Sequence, residues 1–430
     1  MKNLTNTNLV EKNILLRVDL NVPVFESKIT DKSRIDTIRP TVKKLKEKKI
    51  LLRVDLNVPV VDGKIIDKSR IDTIRLTVKK LQEQQNKVFL ISHFGRPKGK
   101  VKKEFSLKFI CPTLKKVLDL DRIFFLENLE EKEIRKISNK MSNSEVCLIE
   151  NIRFYPEEEK NNLEFAKNIS KNFDIFVNDA FSVSHRNHAS IVGFPQFLPC
   201  YAGYGLIEEI NNINLFIRDS KKPNLAIIGG SKISTKIDLL NNLIKKCDVV
   251  SVCGAMANTF LYSTGIDVGT SLCEKNLIST TQTILSKAKK LNCKILLPLD
   301  VVCADNLQDK INIRQSNVND ILSNQMALDV GDKTIKELSS YILNSKSILW
   351  NGPLGAFEYK PFEKSSIAIA NLIKKSNMLG ASTIAGGGDT VSVIKMAKAE
   401  DGFSYISKAG GAFLEWLEGK SSPGVQALNK

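Results

Sequence analysis

Short, continuous apolar runs alternate along this chain with longer stretches in which apolar residues recur at helical spacing. The runs are ILLRVDL (50–56), KVFLIS (87–92), EVCLIE (145–150), DIFVND (174–179), NLAIIGG (224–230), CDVVSVCG (247–254), CKILLPL (293–299), SILWN (347–351) and STIAGG (382–387). A strand-length segment that is apolar at successive positions is buried on both faces. Polar, amphipathic helices between such strands supply the two covering layers of a parallel sheet. About four strands precede residue 200 and about five follow residue 220. Between them lies GFPQFLPCYAGYG (193–205), rich in Pro, Gly and aromatics, and then LIEEINNINLFIRD (206–219), which reads as a helix. The pattern predicts an α/β protein. It has two doubly wound parallel-sheet (Rossmann-like) domains, 1–205 and 220–410, joined by a hinge helix over 206–219.

One segment occurs twice. Residues 14–49 and 50–85 are identical at 28 of 36 positions. Two copies are too few for a solenoid, and nothing downstream repeats at this period, so this is a tandem duplication of one strand–helix unit. In each copy a strand is followed by a loop and an amphipathic helix, with Ser33 and Ser69 as candidate N-caps. Only one strand can occupy a given sheet position. The second copy feeds directly into KVFLIS and keeps the loop glycine Gly63, whereas the first keeps the natural lead-in and Pro40. The second copy is expected to fill the sheet, leaving the first as an extra unit with apolar faces and no partner.

Composition narrows the partners. The chain has 430 residues, 42% hydrophobic and 26% charged, which is enough to build large cores without metal or disulfide staples. The formal net charge of +17 admits nucleic acid, an anionic surface or a phosphorylated metabolite. The excess comes from lysine, 51 residues against 13 arginines, spread over polar helical faces as in KKLKEKK (43–49). That pattern is a solvated surface, and no nucleic-acid partner is expected. No apolar run approaches the roughly 20 residues of a membrane span, and the N-terminus lacks the apolar core of a secretory signal. The eight cysteines are scattered without a CxxC pair, the usage of a reducing cytoplasm.

The arginines are few, and several stand at predicted strand ends, where parallel α/β sheets bind ligands. The first half supplies Asp55 and Asn57, then His93 and Arg96 in SHFGRP, then Asn151 and Arg153, then His185, Arg186 and His188, while Arg70 opens a helix. Four arginines converging on one sheet edge suit a small, multiply anionic ligand. His185 and His188, three apart, are a weaker candidate for a shared metal, since no third ligand stands nearby. In the second half GGSKISTK (229–236) puts Lys232 and Lys236 on about the first turn of a helix, without P-loop spacing. NGPLGAFE (351–358) and GGGDTVSVIKMA (386–397) follow two further strands, the latter leading three glycines into a helix start that attracts anions. Asp389 there is placed to cap the helix or to hold nucleotide-bound Mg²⁺. One domain for a small anion and one for Mg-nucleotide suggests phosphoryl transfer with domain closure.

Taken together, RVDLNVP (53–59), SHFGRP (92–97), ENIRF (150–154), DAFSVSHRNHAS (179–190), GGSKISTKI (229–237), WNGPLGAFE (350–358), GGGDT (386–390) and GGAFLEWLEGKSSPGV (410–425) resemble, in order, the motifs of the phosphoglycerate kinase family, bacterial type. The resemblance spans essentially the whole chain. It implies a monomeric, cytoplasmic glycolytic enzyme. Such an enzyme moves a phosphoryl group reversibly between 1,3-bisphosphoglycerate and ADP, giving 3-phosphoglycerate and ATP with Mg²⁺. It implies that Asp55, Asn57, Arg70, His93, Phe94, Gly95, Arg96, Arg153 and Arg186 hold the phosphoglycerate. Lys232, Lys236, Glu358, Gly387, Gly388, Asp389 and Thr390 would hold the nucleotide, with Glu358 at the ribose and Asp389 at the metal. Arg70 and Lys236 would bracket the transferred group, and the tail, 411–430, would return to the N-terminal domain. No general base is needed, because the acceptor oxygen is already ionised at neutral pH. Three departures stand out. Lys408 and Ala409 replace a threonine and a glycine of the family's Thr-Gly-Gly-Gly, Ala327 replaces a pocket glycine, and the duplication offers Asp19, Asn21 and Arg34 as a rival set to Asp55, Asn57 and Arg70. The competing functions are a non-catalytic two-domain binding protein, a dinucleotide dehydrogenase, for which the GxGxxG signature is missing, and a duplicated paralogue that binds ligand but is catalytically impaired.

Overall fold

The computed structural model describes residues 47–308 and 311–429, together with the backbone of 24–25 and 28–29, which pair as a short antiparallel ladder. Asp19, Asn21, Ser33 and Arg34 lie outside the described residues. The chain divides into two compact units, Met1–Glu209 with Ser421–Lys430, and Ile210–Lys420.

The first unit is built on a six-stranded sheet. Its strands are β1 (Lys49–Arg53), β2 (Lys87–Ile91), β3 (Phe124–Leu126), β4 (Val146–Ile149), β5 (Ile175–Asn178) and β6 (Cys200–Ala202), arranged β6-β5-β1-β2-β4-β3 with every pairing parallel. The strand beside β2 and β5 is therefore that of the second repeat copy. Successive side chains on a strand point to opposite faces. Ile50 and Leu52 accordingly enter one core with Ile71, Ile74 and Val78 of the helix Ser69–Glu83, while Leu51 enters another with Phe89, Phe176 and Phe194. Both faces are covered, which is why these strands are apolar throughout.

The second unit repeats the architecture with β7 (Asn224–Ile228), β8 (Val249–Val252), β9 (Lys294–Leu296), β13 (Ser347–Asn351), β14 (Ser382–Gly386) and β15 (Tyr405–Ser407), ordered β9-β8-β7-β13-β14-β15 and again all parallel. A separate antiparallel sheet of β10 (Asp300–Ala304), β11 (Arg314–Asn317) and β12 (Met326–Val330) lies between β9 and β13 in sequence, over its own small core of Leu261, Val268, Val301 and Cys303. The helix Tyr204–Ile217 runs across the boundary between the two units.

Several local expectations are corrected. The helix over 69–83 has Lys68 at its N-cap with no side-chain bond; Asp67 Oδ1 instead accepts the Ser69 N–H at 2.7 Å. Lys232 and Lys236 do not sit on a first helical turn. They flank the 3₁₀ turn Ile233–Thr235, and Lys236 precedes the helix Ile237–Leu243. The edge strands β3, β6 and β15 and the antiparallel sheet were not expected from the apolar pattern.

Candidate active site

In a doubly wound sheet the crevice for a ligand opens where the strand order reverses. In the first unit that point is at the carboxyl ends of β1 and β5, whose neighbouring loops carry the expected residues. Asp55, nearly buried, accepts from Arg70 Nη1 at 2.6 Å, from Ser182 Oγ at 2.5 Å and from the Asn57 N–H at 3.0 Å. Burial alone would raise the pKa of this carboxyl, but the Arg70 charge, His93 and these hydrogen bonds outweigh it and hold the pKa at about 2. Asn57 Oδ1 accepts the Gly95 N–H at 2.9 Å, and Arg153 Nη1 donates to the Gly95 carbonyl at 2.8 Å. Gly95 has φ +57°, and a side chain there would collide with the Phe105 ring, so this turn needs glycine. Asn151, fully buried, bonds both backbone groups of Phe94 and accepts the Arg153 N–H at 3.1 Å. The Phe94 ring packs on Phe109 with centroids 5.1 Å apart.

His93 is buried beside Arg53, whose Nη2 lies 3.3 Å from its Nδ1. Burial pushes this imidazole well below its ordinary range, and the neighbouring arginines add to the effect. A guanidinium only donates, so neutral His93 accepts at Nδ1 and carries its proton on Nε2. Arg153 is lowered to about 10 by burial and then by Arg186, and remains charged at neutral pH. Arg186 is half-buried, and its charge acts on Arg53, His93, Arg153 and His188. Arg96 is exposed and makes no side-chain bond among the described residues. Burial, then Arg153 and Arg186, lower His188 to about 4, so it is neutral. Among the described residues no three His, Cys, Asp or Glu side chains could hold a metal, which leaves His185 and His188 as a pair without a third ligand.

Sequence reasoning missed two residues of this cluster. Arg53 ends β1, is 1% exposed, and spends Nη1 on the carbonyls of Val54 (2.6 Å) and Ile91 (3.2 Å). Glu158, in the run PEEE, has no exposure at all. The available signal was the lone arginine inside ILLRVDL: a cation in a wholly apolar strand must have a buried reason to be there.

In the second unit the strand order reverses between β7 and β13. Lys236 spans that point. Its Nζ donates to the Gly229 carbonyl at 2.8 Å and to Asn351 Oδ1 at 2.5 Å. Burial lowers Lys236 to about 8, against the opposing charges of Asp389 and Glu418. Asn351 Nδ2 continues to the Gly386 carbonyl at 2.7 Å, so one side chain links the ends of β13 and β14. Gly387 then turns with φ +98°, where a Cβ would stand 2.8 Å from Asn351 Nδ2. Gly388 and Asp389 are exposed at the start of the helix Gly388–Met396; the N-cap is Gly387, so Asp389 does not occupy the capping position. Thr390 is fully buried and its Oγ1 accepts the Gly352 N–H at 2.7 Å. Lys232 and Glu358 are exposed. Lys408 is exposed just past the end of β15, Ala409 is buried, and the Ala327 N–H donates to Ser271 Oγ at 2.8 Å.

The arrangement offers a desolvated cation cluster for a small polyanion on one unit, and on the other a buried lysine beside glycine turns and an exposed carboxylate. The sequence model of the family described as phosphoglycerate kinase matches residues 4–49 and 43–420, two overlapping stretches that each include one copy of the repeat. The phosphoglycerate kinase of Sinorhizobium medicae (strain WSM419) is 44% identical over 426 residues, covering 99% of this chain and 97% of the relative. That of Rhizobium meliloti (strain 1021) is 43% identical over 425 residues, with the same shares. The phosphoglycerate kinase structure from Coxiella burnetii superposes with a TM-score of 0.81 at 38% identity, covering 90% of this chain and 97% of that one. The Pyrococcus horikoshii OT3 phosphoglycerate kinase gives 0.75 at 26% identity, covering 90% and 96%. Nothing in the fold or in these relatives favours a catalytically impaired paralogue. The chain belongs to the phosphoglycerate kinase family, the ATP:3-phosphoglycerate phosphotransferases.

Proposed function

We propose that the first unit binds 3-phosphoglycerate or 1,3-bisphosphoglycerate through Asp55, Asn57, Arg70, His93, Phe94, Gly95, Arg96, Arg153 and Arg186. The second unit binds ADP or ATP through Lys232, Lys236, Glu358, Gly387, Gly388, Asp389 and Thr390. The observation that carries this reading is the cluster of buried Arg53 and Arg153 with half-buried Arg186 beside two neutral imidazoles, a set with more positive than negative charge and therefore suited to a ligand with a carboxylate and a phosphate. Arg70 and Lys236 are the groups assigned to the charge that develops on the transferred phosphoryl oxygens. Catalysis is then positioning and charge stabilisation, since the acceptor carboxylate needs no base. Transfer by closure of the two units is part of this proposal.

A divalent cation that arrives with nucleotide needs few protein ligands. The single exposed carboxylate of Asp389, next to glycine turns and with no further acid cluster among the described residues, fits that mode. Asp389 would hold Mg²⁺, which when bound neutralises phosphate charge. The eight free cysteines support a reducing, cytoplasmic setting, and a monomer is the expected state. The test is a coupled assay of 3-phosphoglycerate-dependent ATP consumption by the purified full chain, with calorimetry for each substrate. Failure to bind 3-phosphoglycerate or Mg-nucleotide, or binding of both without turnover, would overturn the reading.

A further inference from the structure

Glu158 is buried among cations, yet the phosphoryl-transfer reading gives it no task. It lies on the short helix Pro156–Glu159, just after Arg153. Its Oε2 accepts the Ser190 N–H at 2.8 Å, its Oε1 accepts from Ser190 Oγ at 2.6 Å, and His188 Nδ1 lies 3.7 Å from Oε1. Ser190 belongs to the segment Ala189–Gly193, which directly follows Arg186 and His188. Glu158 thus ties the segment that carries Arg153 to the segment that carries Arg186.

Its charge acts on Arg53 and Arg153, while Arg186 opposes the charge of both. The other acids near these guanidiniums are Asp55, which also bonds Arg70, and Glu159, whose Oε1 lies 3.3 Å from Arg153 Nε and which is about half exposed. A buried charge is costly unless it is paired and hydrogen-bonded, and Glu158, held through both carboxylate oxygens by Ser190, is a buried carboxylate of this kind beside the guanidiniums. Among the described residues the buried Nε of Arg53 has no hydrogen-bond partner, and that of Arg153 has only the ion pair with Glu159.

We propose that Glu158 is a positioning residue for anion binding: through Ser190 it fixes the segment bearing Arg186 and His188 against Arg53 and Arg153, without touching the ligand itself. This rests on reading the first unit as the phosphoglycerate site. Glu158→Gln keeps the shape and an acceptor for Ser190 but removes the charge, whereas Glu158→Ala and Ser190→Ala remove the tether. Calorimetry on the full chain would measure 3-phosphoglycerate, with MgADP as the control. Glu158→Ala should weaken 3-phosphoglycerate binding by about tenfold, the worth of a hydrogen bond to a charged group. Ser190→Ala should weaken it less, and MgADP binding should be unchanged in both. Glu158→Gln should return affinity to near the wild-type value and steepen its salt dependence, since the site is then more positive. A tight-binding Glu158→Ala, or a Glu158→Gln as weak as Glu158→Ala, would overturn the positioning role. If Glu158→Ala also loses MgADP, Ser190→Ala decides: unchanged 3-phosphoglycerate affinity there refutes the tether. Wild-type protein that fails to bind 3-phosphoglycerate refutes the site assignment instead.

Discussion

The Arg70 guanidinium donates to the Asp55 carboxylate at 2.6 Å, and both residues come from the second copy of the duplicated unit. The same copy supplies β1 at the centre of the first sheet. Its chemistry and its scaffold are therefore inherited together. Arg70→Ala should lose turnover by an amount equivalent to about 3–4 kcal/mol in the barrier, by analogy with a deleted oxyanion donor. Arg34→Ala should stay near the wild-type rate. Steady-state kinetics of the two variants decides the matter, and a large loss confined to Arg34→Ala would reverse the assignment.

The buried Lys236 charge bears on alkaline stability, and under the proposed function on turnover as well. Burial holds its folded pKa at about 8, below the ordinary 10.5, so the unfolded chain binds more protons between these values. The burial penalty is in full force below about pH 8 and fades as pH rises toward 10.5. Lys236→Met should therefore gain stability relative to wild type at pH 7, with the gain shrinking by pH 10, while turnover falls by about two to three orders of magnitude. Thermal midpoints across pH, with rates at pH 7, check both halves; a stability difference that is flat with pH would count against the buried charge.

Asp329 gives the opposite slope on the acid side. Burial raises it to about 7 despite bonds from the Ser365 N–H at 3.1 Å, the Ser365 hydroxyl and the Val330 N–H at 2.9 Å. The folded state holds a proton that the unfolded chain releases near 3.8, so this group's stabilisation is complete below that pH and lost as pH rises through about 7. Asp329→Asn should gain on wild type from pH 4 to 7 and level off beyond. Parallel melting curves across that range would contradict the buried proton.

Asp389→Asn should weaken MgADP binding about tenfold, roughly 1–2 kcal/mol, and leave 3-phosphoglycerate binding unchanged. Titration calorimetry at fixed free Mg²⁺ measures both. Equal weakening of the two ligands would point to a general structural defect rather than a metal contact.

The two parallel sheets were readable because a strand buried on both faces leaves a run such as SILWN, which the structure reproduces residue for residue as β13. The edge strands β3, β6 and β15 escaped because each has only three residues and is partly exposed, so FFL, CYA and YIS carry no distinctive pattern. The antiparallel sheet was hidden for a related reason: RQSN in β11 is wholly polar and alternates in burial. At the site, strand-end residues such as Asp55 and Arg153 were legible from position alone. Glu158 was not, because in sequence PEEE is an ordinary acidic helix start, and only folding brings Ser190 across to it from 32 positions away. Lys236 was found by motif, but its partner Asn351, 115 positions away, has no local signature.

The residues that complete the first unit are drawn from both ends of the sequence. Ser421–Lys430 belongs to it, with the Gly424 N–H bonded to the Ser184 carbonyl at 2.7 Å and a side chain at Gly424 excluded by Ile191 and Ser184. During synthesis on the ribosome, that seat beside the loop bearing Arg186 must therefore stay open until the whole of the second unit has been translated. The first unit, whose residues up to Glu209 are made first, is complete only once Ser421–Lys430 has emerged.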